Sequence, residues 1–201
     1  MINCLIFDVG KVILFFDNAI FFRRLAEYSP YSAQDMALHV PLYRDLIHSF
    51  DTGRIGPEDF YAEVVQVLEA DVGQKKFFHM YNDVFLLNTP VLNLLRKLKS
   101  RYKLILLSNT DVERFGFIRK KFPEIFLFDA YVLSYEVGRM KPHPEIYKVA
   151  LKKAGVPAQQ CVFIDDLPEN IEGAHSLGMS VILYRPAVDL EAELKKLDMT
   201  I

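Results

Sequence analysis

The stretch Cys4–Val12 reads CLIFDVGKV. Ile2 and the run Cys4, Leu5, Ile6, Phe7 are apolar without alternation, as expected of a strand buried on both faces of a parallel sheet. Asp8 follows directly. A carboxylate there is costly to bury unless a metal, a cation or hydrogen-bond donors meet it. It also lies where open α/β sheets bind ligands, outside the carboxyl ends of their strands. Three later stretches share the shape, an apolar strand running into polar groups: Leu104–Asn109 (LILLSN), Ala130–Lys141 (AYVLSYEVGRMK) and Cys161–Asp166 (CVFIDD).

Around these stretches the chain alternates. Strands are expected at Ile2–Phe7, Leu104–Leu107, Ala130–Leu133, Cys161–Ile164 and Val181–Leu183. Helices are expected at Pro90–Ser100, Asp111–Phe122, Pro144–Ala154, Pro168–Leu177 and Asp189–Leu197. Such alternation implies an α/β fold, a Rossmann-like parallel sheet with helices on both faces. Right-handed crossovers leave few topologies. The order 3-2-1-4-5 puts the first strand in the middle and the switch point between strands one and four, where Asp8 and the pair Asp165–Asp166 would face each other.

Between the first and second strands lies a long segment of another kind. Val12–Phe16 reads as a short extended flap, and Gly10 before it permits a backbone excursion. From Asp17 to Asn88 the pattern is helical throughout. Ser32 with Asp35 suggests a capping box. One helix would carry Met36, Val40, Tyr43, Ile47 and Phe50 on a single face. Pro57 suits the first turn of another, and a last one carries Phe77, Phe78, Tyr81 and Phe85. The expected organisation is a core of residues 1–16 and 89–201 with an inserted helical bundle, residues 17–88, set on it as a cap.

The 201 residues, half of them hydrophobic and a quarter charged, suit a globular protein with a sizeable core. A net charge of −2 gives no electrostatic case for nucleic acid or a membrane surface. No apolar run approaches a membrane span, and no leader pattern opens the chain. Cys4 and Cys161 lack metal or redox spacing and read as core residues. The expected location is the cytoplasm. A monomer is plausible, though oligomeric state is not legible.

Each polar strand end has an ordinary reading when taken alone. Asp8 could cap a turn, Asp165–Asp166 could favour the N-terminus of the next helix, Ser108–Asn109 could be a turn cap, and Lys141 a solvated charge. Together they point elsewhere. Two adjacent acids at a strand end resist ionisation unless a cation sits between them. Hard oxygen donors with room for a phosphate suit Mg²⁺. Asp8 can attack phosphorus, Ser108 and backbone N–H groups can bind phosphoryl oxygens, and Lys141 can neutralise the transferring group.

With those residues in view, the chain resembles the haloacid dehalogenase-like hydrolases across its whole length. FDVGKV, LLSNT, Lys141 in GRMKPHPEIY and FIDDLPENIEGA stand in the order of that superfamily's four motifs. The inserted helices resemble its C1-type cap. Within the superfamily the chain is similar to bacterial α-D-glucose-1-phosphate phosphatases and to the N-terminal phosphatase domain of soluble epoxide hydrolases. The resemblance implies Asp8 as nucleophile and Mg²⁺ ligand, the Gly10 carbonyl as a second ligand and Asp166 as a third. Asp165 would lie behind it or bridge through water. Ser108 and Asn109 would hold the phosphoryl group, Lys141 would stabilise charge, and Asn170 would brace the loop or Lys141.

One departure stands out. Phosphatases of this kind usually carry a second Asp two residues after the nucleophile, as general acid and base; here that position is Gly10. Lys11, next in the chain, could touch the substrate phosphate. The implied activity is Mg²⁺-dependent hydrolysis of a small phosphorylated metabolite, such as a sugar phosphate, through an aspartyl phosphate. Poor leaving groups should then turn over slowly. Arg54, His48, Tyr43 and Phe16 are candidate specificity residues. Two alternatives remain: a metal-free 2-haloacid dehalogenase, and a binding protein with impaired catalysis.

Overall fold

The computed structural model describes residues 1–201. Its centre is a parallel sheet of five strands in the order β5-β4-β1-β6-β7. These are β1 (Cys4–Phe7), β4 (Lys103–Ser108), β5 (Ala130–Leu133), β6 (Cys161–Asp165) and β7 (Ser180–Leu183). This is the 3-2-1-4-5 order expected from sequence, with β1 in the middle. Phe7 pairs with Leu106 on one side and Ile164 on the other. The register therefore sets Asp8 beside Asp165, and the Asp8 N–H donates to Ile164 O at 2.9 Å.

The unbroken apolar strands are buried on both faces. Leu5, Phe7, Leu106 and Ile164 point into one core and Cys4, Ile6, Ile105 and Phe163 into the other, as the period-two alternation of a strand requires. The second core is closed by α9 (Pro144–Ala154) and α10 (Pro168–His175). The first takes in α6 (Thr89–Leu98), α7 (Val112–Lys121) and α11 (Leu190–Lys195), and runs on into the helical insertion. A four-residue helix, α8 (Ser134–Val137), follows β5.

The insertion holds α1 (Asn18–Leu25), α2 (Ala33–His39), α3 (Arg44–Asp51), α4 (Pro57–Val67) and α5 (Gln74–Asn82). Aromatic rings fill it: Phe50 stacks on Phe60 at 4.2 Å, and Phe21 meets Phe77 and Tyr81 edge-on at 5.5 Å each. The capping box of Ser32 and Asp35 forms at the start of α2.

Three expectations need correction. The segment is not helical throughout: β3 (Phe85–Leu87) follows α5 and pairs antiparallel with the flap strand β2 (Leu14–Phe16), placing Phe16 opposite Phe85. The Phe85–Leu87 strand was hidden because its three apolar residues extend the helical pattern of α5. Met36 and Phe50 do not share one helix. A 3-10 turn, Val40–Tyr43, separates α2 from α3, and Pro41 within it cannot donate the backbone hydrogen bond a continuous helix needs. Finally, the left-handed residue in the flap loop is Lys11, at φ 55°, and not Gly10.

Candidate active site

Three strand ends and one loop build the site. Asp8 follows β1, Ser108 closes β4, and Asp165 closes β6 with Asp166 beyond it. Lys141 arrives on the loop between α8 and α9. Its Nζ lies 2.7 Å from Asp8 Oδ1 and 2.7 Å from Asp165 Oδ2, and donates to Leu107 O at 3.2 Å. Lys141 and both acids are buried. Burial works against the ammonium, but Asp8 and Asp165 outweigh it and raise the Lys141 pKa above the ordinary lysine value. Burial likewise pushes the Asp8 carboxyl up to about 7, with Lys141 pulling it down and Asp165 pushing it further up.

Asp165 is held from every side. Its Oδ1 accepts from Leu167 N at 2.9 Å and from Asn170 Nδ2 at 3.0 Å, while Lys141 takes Oδ2. Asn170 in turn receives the Tyr147 hydroxyl on its carbonyl at 2.9 Å. Asn170 thus braces Lys141 through Asp165. The Asp166 carboxylate is freer: Arg185 donates to the residue's backbone carbonyl, and the side chain is paired only with Lys11 Nζ, at 4.0 Å. Burial raises its pKa, Asp165 adds to the shift, and Lys11 and Lys141 oppose it.

Ligand oxygens of Asp8, Asp165 and Asp166 come within 4.8 Å of one another. Three carboxylates against one buried ammonium leave a net negative charge that a divalent cation would neutralise, and hard oxygen donors at this spacing suit Mg²⁺. Asp165 already spends its oxygens on Lys141, Leu167 and Asn170. Asp8 and Asp166 are therefore the side chains with capacity left for a metal.

Ser108 makes only a long contact, 3.4 Å from its Oγ to Asn109 O, so its hydroxyl can turn to a ligand. The Asn109 amide is committed: Nδ2 donates to Lys141 O at 2.9 Å and Oδ1 accepts from Lys141 N at 2.8 Å. What Asn109 has left for a phosphoryl oxygen is its backbone N–H. Lys11, projecting from its left-handed position, lies 5.6 Å from the Phe16 ring centre as well as near Asp166. That ring explains Gly10. A Cβ on residue 10 would come 3.0 Å from Phe16 Cε1, closer than real Cβ atoms comfortably pack. Phe16 thus occupies the space beside the position where the usual second acid would begin. Arg54 and Tyr43, by contrast, lie on the insertion with no contact to the carboxylates, and His48 Nε and Nδ make no bond there either.

Sequence reasoning missed the supports. Ser134, at the start of α8, exchanges hydrogen bonds with the Thr110 backbone at 2.8 and 2.9 Å and so fixes the loop after β4. Gly173 lets α10 approach the Lys141 loop: a Cβ there would lie 3.0 Å from the Tyr147 ring and 3.1 Å from Pro142 O. The only signal for either was its position beside a motif.

Comparison with known proteins identifies the family of the chain. The family model of the haloacid dehalogenase-like hydrolases matches residues 2–178. Bifunctional epoxide hydrolase 2 of Rattus norvegicus is 37% identical over 73 residues, which is 36% of this chain and 13% of that one; the chain thus spans a small part of that relative. D-ribitol-5-phosphate phosphatase of Bacteroides thetaiotaomicron is 24% identical over 206 residues, 96% of this chain and 97% of that one. A HAD family enzyme from the same organism, crystallised with magnesium and inorganic phosphate, superposes with a TM-score of 0.84 at 26% identity, covering 96% of this chain and 99% of that one.

Proposed function

Because the chain belongs to the haloacid dehalogenase-like hydrolases, we propose that it is a Mg²⁺-dependent phosphomonoesterase acting through an aspartyl phosphate on Asp8. The observation that carries this reading is the Lys141 ammonium held 2.7 Å from both Asp8 and Asp165, with Asp166 left open beside them. Similarity to a phosphatase over nearly the full length supports it.

Asp8 would attack phosphorus with one carboxylate oxygen while the ester P–O bond breaks and its electron pair stays on the leaving oxygen, which takes its proton from solvent water to give the alcohol. Water then attacks the phosphorus of the acyl phosphate and frees Asp8. Ser108, the Asn109 N–H and Lys141 hold the phosphoryl oxygens and spread their charge. Asn109 and Asp165 fix Lys141 for this task. Mg²⁺, held by Asp8, Asp166 and the Gly10 carbonyl, would supply further neutralisation of the phosphoryl charge. The helices of residues 17–88 act as a cap that excludes water and selects the leaving group. The product is inorganic phosphate and an alcohol. With Gly10 and Phe16 where a proton donor would stand, esters with good leaving groups should react much faster than alkyl esters.

The test is phosphate release from p-nitrophenyl phosphate with Mg²⁺ and with EDTA, for wild type and Asp8→Asn. Mg²⁺-dependent release lost in the variant supports the proposal; equal release by both proteins sinks it.

A further inference from the structure

The helical insertion holds a cavity of about 300 Å³ that shares no lining residue with the site of Asp8, Lys141 and Asp166. Of its 17 lining residues, 14 are hydrophobic, Met36, Val40 and Val64 among them. Apolar walls give water too few partners to settle there, and space of that size left empty weakens a core. Ala37 and Val67 of the wall are themselves exposed, so the cavity is reached from solvent.

The polar residues of the wall are Asn18, Asp51 and Arg114, and they differ in what they have left to give. Arg114 is engaged. Its Nη2 donates to Asn18 Oδ1 at 3.1 Å, its guanidinium lies over the Tyr81 ring at 4.1 Å from the centre, and its Nε faces Asp111 Oδ2 at 3.9 Å. Asp111 is engaged as well: its carboxylate accepts from the Arg114 N–H at 2.8 Å and from the Tyr81 hydroxyl at 3.0 Å. Asp51, which closes α3, makes no hydrogen bond and no ion pair, although it feels the charges of both Arg114 and Asp111. The cavity thus has an apolar body and one carboxylate without a partner, in a neighbourhood where two acids stand against a single guanidinium.

We infer that this cavity is a second ligand site, separate from the catalytic carboxylates, and that it takes a monoamine with a compact hydrocarbon body. The ammonium would donate to Asp51 and balance the charge at the polar wall, and the hydrocarbon would fill the apolar body. A carboxylate taken from water is costly until a cation or donors meet it, and a hydrogen bond between ammonium and carboxylate is among the strong ones. An acid of the same shape would set like charge against Asp51 and find Arg114 already bound. A sugar or polyol would bring more hydroxyls than one carboxylate can satisfy. At about 30 Å³ for a water-sized group, the space suits roughly ten non-hydrogen atoms. The inference stands apart from the phosphatase reading and does not rest on it.

The experiment is calorimetric titration of the Mg²⁺-loaded protein with phenethylamine, phenethyl alcohol and phenylacetate, which share an aromatic body and differ in the head group. The amine should bind about tenfold to a hundredfold more tightly than the alcohol, the usual worth of a hydrogen bond to a charged group, and phenylacetate should bind least. Asp51→Asn keeps the shape of the side chain; it should bring the amine down to the affinity of the alcohol and leave the alcohol as it was. Val64→Phe fills the cavity and should weaken amine and alcohol alike. Asp8→Asn should change neither. No binding of the amine, equal binding of amine and alcohol, or amine binding indifferent to Asp51→Asn or to Val64→Phe overturns the inference. So does amine binding lost in Asp8→Asn, which would put the ammonium on the catalytic acids instead.

Discussion

The side-chain amide of Asn109 clasps the backbone of Lys141, giving a hydrogen bond to its carbonyl at 2.9 Å and taking one from its N–H at 2.8 Å. A residue at the end of β4 thereby sets the height of an ammonium carried by a loop 32 positions further along the chain. Asn109→Ala removes both bonds and leaves two backbone groups to find water. Stability should fall by about 1–3 kcal/mol. Because Lys141 would then drift relative to Asp8, kcat should fall by roughly tenfold to a hundredfold, with KM less affected. Steady-state kinetics beside thermal melting separates the two effects.

Lys141 is the only cation bonded to the buried pair Asp8 and Asp165. Lys141→Met leaves two carboxylates in a closed site without a counter-ion, which typically costs about 3–5 kcal/mol. Melting without metal should show this loss. Added Mg²⁺ should restore more stability to the variant than it adds to the wild type, since it meets the same charge. A variant as stable as wild type in EDTA would contradict the assigned pairing.

Gly10 and Phe16 exclude each other's alternatives. Gly10→Asp alone places a Cβ 3.0 Å from Phe16 Cε1, and overpacking of this kind costs about 1–3 kcal/mol. The single variant should gain little activity. Combined with Phe16→Ala it should raise kcat on alkyl phosphates by about 10²-fold or more, the usual worth of a placed general acid, with a smaller gain on p-nitrophenyl phosphate. Equal gains on both esters would show that the added acid does not protonate the leaving group.

Asp51 gives the fold a pH dependence. Burial pushes its carboxyl up to about 7, Asp111 adds to the shift and Arg114 opposes it; the residue as a whole remains partly accessible. A carboxyl whose folded pKa exceeds its unfolded value binds its proton more tightly in the native state. Stability is therefore greatest below about pH 4 as far as this group is concerned, and declines as pH rises toward 7. Asp51→Asn abolishes that decline. It should melt higher than wild type at pH 8, by about 2–4 °C for a gain on the order of 1 kcal/mol, with the difference gone at pH 4.

The sheet was legible because its five strands are unbroken apolar runs, and a run such as Leu104–Leu107 buried on both faces has no competing helical period. The acids were legible because each is polar at the end of such a run, and Lys141 because it stands in a proline-stiffened loop following one. Asn109 was legible as a site residue but not in its hold on Lys141: a sequence shows that an amide stands near a loop, not which atoms it grips. Ser134, Tyr147 and Gly173 were silent for the same reason, since their roles exist only once α8, α9 and α10 are packed. Pro41 carried a signal in plain view. Its missing N–H should have divided the helix drawn through Met36 and Phe50, but the apolar periodicity on either side of it was the stronger pattern. The Phe85–Leu87 strand had no signal of its own, because three residues are too few to set a period and its partner is some 70 positions away.

The ribbon of β2 and β3 carries a consequence for how this architecture diversifies. The chain leaves the sheet side at Phe16 and returns at Phe85, directly opposite, and Asn88 staples the return by bonding Val12 O at 2.7 Å and the Tyr184 hydroxyl at 2.9 Å. Everything between is a loop with coincident ends. A change of length between those ends can be taken up at the ribbon without a step in the register of the sheet. A replacement bundle would also have to remake the contacts of the insertion with α7, the Tyr81 hydroxyl on Asp111 and Arg114 on Asn18.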